Sequence, residues 1–121
     1  MQRKSSLLIL LLLSVTALLF AGYTDGTKTV STAGTRVQLT SSPTSCISLT
    51  IQVLSTNAGT IWIGGSDVSA SGKVGLALTN GVTPPASAYF APSSTTAIYV
   101  TSAIWLDATN SGDGVTFACY R

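Results

Sequence analysis

The sequence has no histidine and no glutamate, and only ten of its 121 residues are charged. Without histidine, neither a Ser-His-Asp nor a Cys-His catalytic site can be assembled, and a frequent ligand of transition metals is missing. We therefore predict that the protein is not an enzyme. We expect no catalytic residue, no metal and no cofactor.

A basic surface is also missing. After residue 22, four cations (Lys28, Arg36, Lys73, Arg121) are balanced by four aspartates (Asp25, Asp67, Asp107, Asp113). Proteins that bind nucleic acid through its phosphates need clustered positive charge. The sequence therefore predicts no nucleic-acid partner.

The one long hydrophobic run lies at the N-terminus. Arg3 and Lys4 precede about 15 apolar residues and then small residues, which is the layout of a secretory signal. The run is shorter than the roughly 17–25 residues of a membrane-spanning helix. We interpret residues 1–22 as a signal peptide, with a retained membrane anchor as the alternative. The protein is then exported, and it touches a membrane only through residues 1–22 if these stay uncleaved.

Strand-forming and turn-forming residues dominate the remainder. The chain has 35 Ser and Thr residues and 11 Gly, and β-branched side chains favour strands over helices. In "CISLTIQVL", Ile47, Leu49, Ile51 and Val53 alternate with Cys46 and polar residues, as in a half-buried strand. Shorter alternations recur between turn clusters, in "TRVQLT", "GTIWIGG", "KVGLAL", "AIWLDA" and "GVTFACYR".

This spacing of strands and turns predicts an all-β fold. We expect residues 23–121 to form a single antiparallel β-sandwich, of jelly-roll or immunoglobulin-like type, with seven to eight strands. The segment carrying Pro84, Pro85 and Pro92 is expected to be a loop or an edge.

The stretch "TNAGTIWIGGSDVSASGKVGLAL" resembles a phosphate-binding loop only superficially. Such a loop needs Gly, four residues, and then Gly-Lys-Ser/Thr. Here six residues separate Gly65 from Gly72, and Val74 follows Lys73. The stretch predicts two strands joined by a polar loop.

Asp107 and Asp113 flank "ATNSG" and could approach each other as the paired carboxylates of a glycoside hydrolase. Aspartates in such clusters are more often turn formers that accept backbone hydrogen bonds. We favour the turn interpretation. With Asp67 they match no calcium-loop spacing.

The two cysteines suggest a disulfide, because an exported domain of this size commonly pairs an even number of thiols. A Cys46–Cys119 bond would close a loop of about 70 residues and contribute about 4 kcal/mol on the chain-entropy model. Alternation places Cys46 on a polar face and Cys119 on an apolar one. A bulge would remove this conflict, and two unpaired thiols are the alternative.

Aromatic residues offer a candidate ligand surface. Trp62 and Trp105 alternate out of phase with their apolar neighbours and are predicted on the opposite face, where flat rings suit a sugar. Tyr99 and Tyr120 are further candidates for this platform. Burial is the commoner use of aromatic side chains, so both interpretations stay open.

The order of these motifs resembles small β-sandwich proteins of tailed-phage and prophage structural modules. The segments are "VQLTSS", "CISLTIQ", "NAGTIWIGGSDVS" and the terminal "GDGVTFACY", within residues 29–121 but without the Pro-rich part at 83–94. The resemblance implies a virion-associated or decoration-like structural role. The leader departs from it, because phage particles assemble in the cytoplasm, and points to a membrane-associated particle or a cell-surface derivative.

We therefore expect a non-enzymatic structural or interaction protein at a cell surface or on a virion. It would act by protein–protein contact or self-assembly through strand edges, with "TDGTKTVST" as a strand that can be donated. The alternative is an exported carbohydrate-binding or adhesion module that binds a glycan through Trp62 and Trp105.

Overall fold

Strand alternation organises the chain from residue 22 onward. The computed structural model describes residues 22–81, 85–91 and 99–121. Residues 1–21 of the predicted leader lie outside these ranges, as do Pro84 and Pro92 of the proline segment. In the described part of the chain, no helix has the length and apolar character needed to cross a membrane.

Within these described ranges, the regular structure comprises ten strands and one short 3-10 helix, at Thr101–Ala103. The strands are β1 (Tyr23–Thr29), β2 (Val37–Gln38), β3 (Ser45–Cys46), β4 (Ser48–Val53), β5 (Thr60–Gly64), β6 (Leu76–Thr79), β7 (Ser87–Phe90), β8 (Tyr99–Val100), β9 (Trp105–Ala108) and β10 (Gly114–Tyr120).

Eight of the strands form two four-stranded antiparallel sheets. Sheet A has the order β1-β10-β4-β7 and sheet B has the order β2-β9-β5-β6, while β3 and β8 pair separately. Numbered among themselves, the eight main strands run 1-8-3-6 and 2-7-4-5, which is the order of a jelly roll with two Greek keys. The predicted all-β antiparallel fold is confirmed. The predicted count of seven to eight strands misses only the two-residue pair β3 and β8.

One hydrophobic core lies between the two sheets. In β4 the residues alternate between half-buried and buried, and β5 shows the same pattern. Because both sheets direct one set of side chains inward, these side chains pack as a single cluster. Its members are Val30, Leu39, Cys46, Leu49, Ile51, Val53, Ile61, Ile63, Leu78, Ala88, Leu106, Ala108, Val115, Phe117 and Cys119.

The strand predicted across residues 46–53 is broken at Ile47. Ile47 lies in a bend between β3 and β4 and is 39% exposed, whereas Cys46 before it is fully buried. The bend adds a residue, so Cys46 and Leu49 both face the interior. The predictions that Ile47 is inward and Cys46 outward are therefore wrong, because the bend at Ile47 interrupts the alternation between β3 and β4.

Strand β1 belongs to sheet A but contributes no buried side chain. All seven of its residues pair with β10. A Cβ atom on Gly26 would lie 2.9 Å from the Phe117 ring, so the bare backbone of Gly26 lets that ring pack beneath the strand. Backbone pairing, more than side-chain burial, holds β1 in place.

Candidate functional site

The buried aspartates serve as acceptors for loop backbone. Asp113 accepts hydrogen bonds from the amides of Ala58 and Gly59, both at 2.8 Å. Asp107 accepts from the amide of Ala70 at 2.7 Å and from its own neighbour Ala108 at 2.8 Å. Each carboxylate ties a different, sequence-distant loop to the sandwich, and Asp107 lies within β9, which differs from the predicted role of local turn formers.

Asn57 completes this end of the fold, although no sequence pattern singled it out. Its side-chain amide donates to the carbonyl of Gly114 at 2.7 Å and accepts from the Gly114 amide at 2.8 Å. Asn57 is buried. Its only signal in the sequence was its position in the turn cluster "STNAG".

The glycine-rich stretch at 65–75 is the loop of a β5–β6 hairpin. Ser69 and Val74 form a bridge across it, and Lys73 has a positive φ of 54° in the tight turn between them. Only glycine fits at position 75, because a Cβ atom there would lie 2.7 Å from the carbonyl oxygen of Ile63. The prediction of two strands joined by a polar loop is confirmed.

This loop covers part of the outer face of sheet B. Val68 is 1% exposed although it is outside the core cluster. A Cβ atom placed on Gly64 would contact Val68 at 3.4 Å, so Val68 packs over the outside of β5. The Asp107–Ala70 hydrogen bond fixes the same loop to β9. The loop thereby makes a small second layer on sheet B.

Trp62 and Trp105 lie on this outer face. Trp62 pairs with Asp107 and Trp105 pairs with Gly64, so the two rings are diagonal neighbours on β5 and β9. Both are half-buried beside the covering loop. The Trp62 indole Nε1 is buried and has no hydrogen-bond partner among the described residues. Because this atom is buried, it is not accessible to a ligand in this conformation.

The four aromatic residues considered from the sequence do not form one platform. Tyr99 packs against Phe90, with ring centroids 5.7 Å apart, and its hydroxyl donates to the Ala91 carbonyl at 2.7 Å. Tyr99 therefore fastens β8 to the end of β7. Tyr120 lies on the opposite sandwich face, on sheet A. Strand order, which the sequence does not show, separates these rings.

The outer face of sheet A carries a different set of aromatic residues. Tyr23, Tyr89 and Tyr120 are 69%, 66% and 50% exposed, and all three point outward from this sheet. A depression of about 190 Å³ lies on the same face. It is lined by Tyr23, Asp25, Thr50, Gln52, Thr116, Phe117 and Ala118.

The cysteines form a disulfide with a Cα–Cα distance of 5.4 Å and a sequence separation of 73 residues. Both are fully buried. The bond joins β3 to the central strand β10 of sheet A, and it confirms the predicted pairing over the alternative of free thiols. A buried disulfide of this kind is consistent with an oxidising, exported compartment.

Within the described ranges, no three or more residues of the types His, Cys, Asp and Glu come together as a metal site. The fold and these surfaces define the class of the protein as a disulfide-bonded, jelly-roll-ordered β-sandwich. Comparisons of the chain with family models, with curated proteins and with solved structures give no match.

Proposed function

We propose that the chain is an exported, non-enzymatic interaction protein that acts at a cell surface, or on a virion, through protein–protein contact. The observation that carries this proposal is the free edge of β1. This strand is seven residues long, polar, and paired on one side only among the described residues. Such an edge can accept a strand from a second chain.

Along β1, hydrogen-bonded and non-hydrogen-bonded pairs with β10 alternate, and this alternation shows which backbone groups face the free edge. The Arg121 amide donates to the Gly22 carbonyl, and the Val30 amide donates to the Asp113 carbonyl. Even-numbered residues of β1 therefore bond to β10, because hydrogen-bonded and non-hydrogen-bonded pairs alternate in an antiparallel ladder. The amides and carbonyls of Asp25 and Thr27 point outward.

Thr27→Pro tests the edge directly. Proline removes an outward amide and leaves the β1–β10 bonds in place, as prolines on natural sheet edges do. We expect loss of self-assembly or partner capture in sedimentation, whereas Thr27→Ala, which keeps the amide, should retain it. Assembly that is unchanged in Thr27→Pro would contradict strand addition at β1.

Export is supported by the disulfide and by the predicted leader. The intact mass of the unreduced protein from its native source tests both at once. A chain that begins near Gly22 and lacks two thiol hydrogens fits the cell-surface form of the proposal. A full-length chain with free thiols fits assembly in the cytoplasm and therefore the virion form that the phage resemblance implies.

A second candidate is a carbohydrate-binding or adhesion module that uses Trp62 and Trp105. It is favoured by the shared outer face of the two rings. Glycan binding should then fall in the Trp62→Phe variant, which presents a smaller ring. Binding that survives the loss of both tryptophans would exclude this surface.

A further inference from the structure

We propose that the outer face of sheet A is a binding site for a neutral oligosaccharide, with Tyr23, Tyr120 and Tyr89 as stacking surfaces. This site is distinct from the tryptophan surface on sheet B. It also uses the face of sheet A, whereas the contact proposed above uses the edge of β1.

The tyrosines are arranged around a polar centre. Tyr23 and Tyr120 are direct partners in a non-hydrogen-bonded pair, where side chains of an antiparallel ladder lie closest. Tyr89 lies two strands away from β10 and two residues further along, because it pairs with Thr50. Strand spacing and rise put it about 12 Å from Tyr120. The rings can therefore flank a ligand longer than one sugar ring.

The side chains that lie between the tyrosine rings are small, and several of them can form hydrogen bonds. Asp25, Ala118, Thr50 and Tyr89 follow one another across the four strands. Ala118 has the smallest side chain of this row and lines the depression. Carboxylate, hydroxyl and amide groups of Asp25, Thr50 and Gln52 line the walls.

These polar groups are available to a ligand. Within the described ranges, the one hydrogen bond made by a side chain that lines the depression runs from the Thr116 hydroxyl to the Gly26 carbonyl, at 3.1 Å. Sugar hydroxyls both donate and accept, so they match a mixture of carboxylate, amide and hydroxyl partners. The apolar faces of sugar rings match exposed tyrosine rings.

The charge on the outer face of sheet A indicates which class of ligand this face can bind. Asp25 is the one charged side chain that β1, β4, β7 and β10 direct outward, since Lys28 lies on the inward side of β1. A face without a cation disfavours phosphate, nucleic acid and sulfated glycans. An uncharged polyol needs no counter-charge, and a single carboxylate can accept two of its hydroxyls.

The experiment uses the full chain and three neutral probes: oligosaccharides of the cellulose, starch and xylan types, with a heparin oligosaccharide as the anionic comparison. Binding is measured by NMR titration. We expect saturable binding of a neutral probe and none of heparin. Removing one of the three tyrosines, as in Tyr120→Ala, should weaken binding about tenfold.

Two further variants separate a site from a general surface effect. Ala118→Arg fills the depression from an outward position and should abolish binding, while Thr27→Ala, on the same face but outside the depression, should leave it unchanged. Thr27→Pro should also bind sugar normally, which separates this site from the edge contact.

No binding of any of the three probes at millimolar concentration would overturn the proposal. So would binding that Tyr120→Ala and Ala118→Arg both retain, or binding that is lost only in Trp62→Phe. If Ala118→Arg instead abolishes self-association, the face is a protein interface and the proposal fails.

Discussion

The outer faces of the two sheets differ in what covers them. On sheet B, the 65–75 loop packs over β5 and β9, so Val68 and Asp107 are almost inaccessible on the outside of a sheet. On sheet A, the corresponding positions remain open and present three exposed tyrosines. The same alternation of residues thus gives a closed face in one sheet and an accessible face in the other. A covering loop decides between these outcomes.

The outer faces of the two sheets are also stabilised by different parts of the structure. The closed face depends on the buried contacts of one hairpin loop. The open face depends on the sheet beneath it, whose central strand β10 is cross-linked to β3 by the Cys46–Cys119 bond. Substitutions at these two supports should therefore differ in how much they destabilise the fold.

Loss of the disulfide should have the largest effect. In the double variant Cys46→Ser with Cys119→Ser, we expect the free energy of unfolding to fall by about 4 kcal/mol, because the unfolded chain regains the freedom of a 73-residue loop. Denaturant titration measures it, and a reductant added to the wild-type chain should reproduce the shift. A change below about 1 kcal/mol would contradict this role of the bond.

Removal of the Asp107 carboxylate should have the second largest effect on stability. Asp107→Ala leaves the buried amides of Ala70 and Ala108 without their acceptor, which we expect to lower the unfolding free energy by about 2–3 kcal/mol. The matched variant Asp25→Ala on the open face should stay within about 0.5 kcal/mol of the wild type. Equal losses from the two variants would mean that the two faces do not differ as described.

Truncation of a buried side chain in the covering loop should lower the unfolding free energy by less. Val68→Ala removes two buried methyl groups and should lower stability by about 1.5 kcal/mol. Its control lies in the same loop: Val74 is 41% exposed, so Val74→Ala should have little effect. Tryptophan fluorescence offers a second measurement, since loosening the loop over Trp62 and Trp105 should shift their emission to longer wavelength.

The smallest effect is expected on the open face. Tyr89→Ala should change the free energy of unfolding by no more than about 0.5 kcal/mol, because an exposed side chain loses little packing when it is truncated. Thermal unfolding of this variant beside Val68→Ala compares the two faces directly. A larger loss for Tyr89→Ala would show that the tyrosine is structural.

Local patterns in the sequence predicted much of this molecule. Alternation identified the buried faces of β4 and β10, and cysteine number indicated the disulfide. The break at Ile47 escaped prediction because alternation assumes a continuous strand, whereas the bend lets Cys46 before it and Leu49 after it both face the interior. Alternation in "KVGLAL" puts Val74, Leu76 and Leu78 on one side, but only Leu78 is buried, whereas Val74 and Leu76 are exposed.

The candidate surfaces were harder to predict, because they depend on strand order. Trp62 and Trp105 were correctly placed opposite Ile61 and Leu106, since alternation fixes a side within one strand. The packing of Val68 over the neighbouring Gly64 depends on how the loop folds back. The grouping of Tyr23, Tyr89 and Tyr120 depends on β1, β7 and β10 entering the same sheet, which pairs residues up to 97 positions apart (Tyr23 with Tyr120).

The most direct test of the contrast between the faces is hydroxyl-radical footprinting of the native full chain, with each rate divided by that of the same residue in the unfolded chain. We expect strong labelling of Tyr23, Tyr89 and Tyr120 and marked protection of Trp62. Protection of the tyrosines equal to that of Trp62, or full labelling of Trp62, would contradict it.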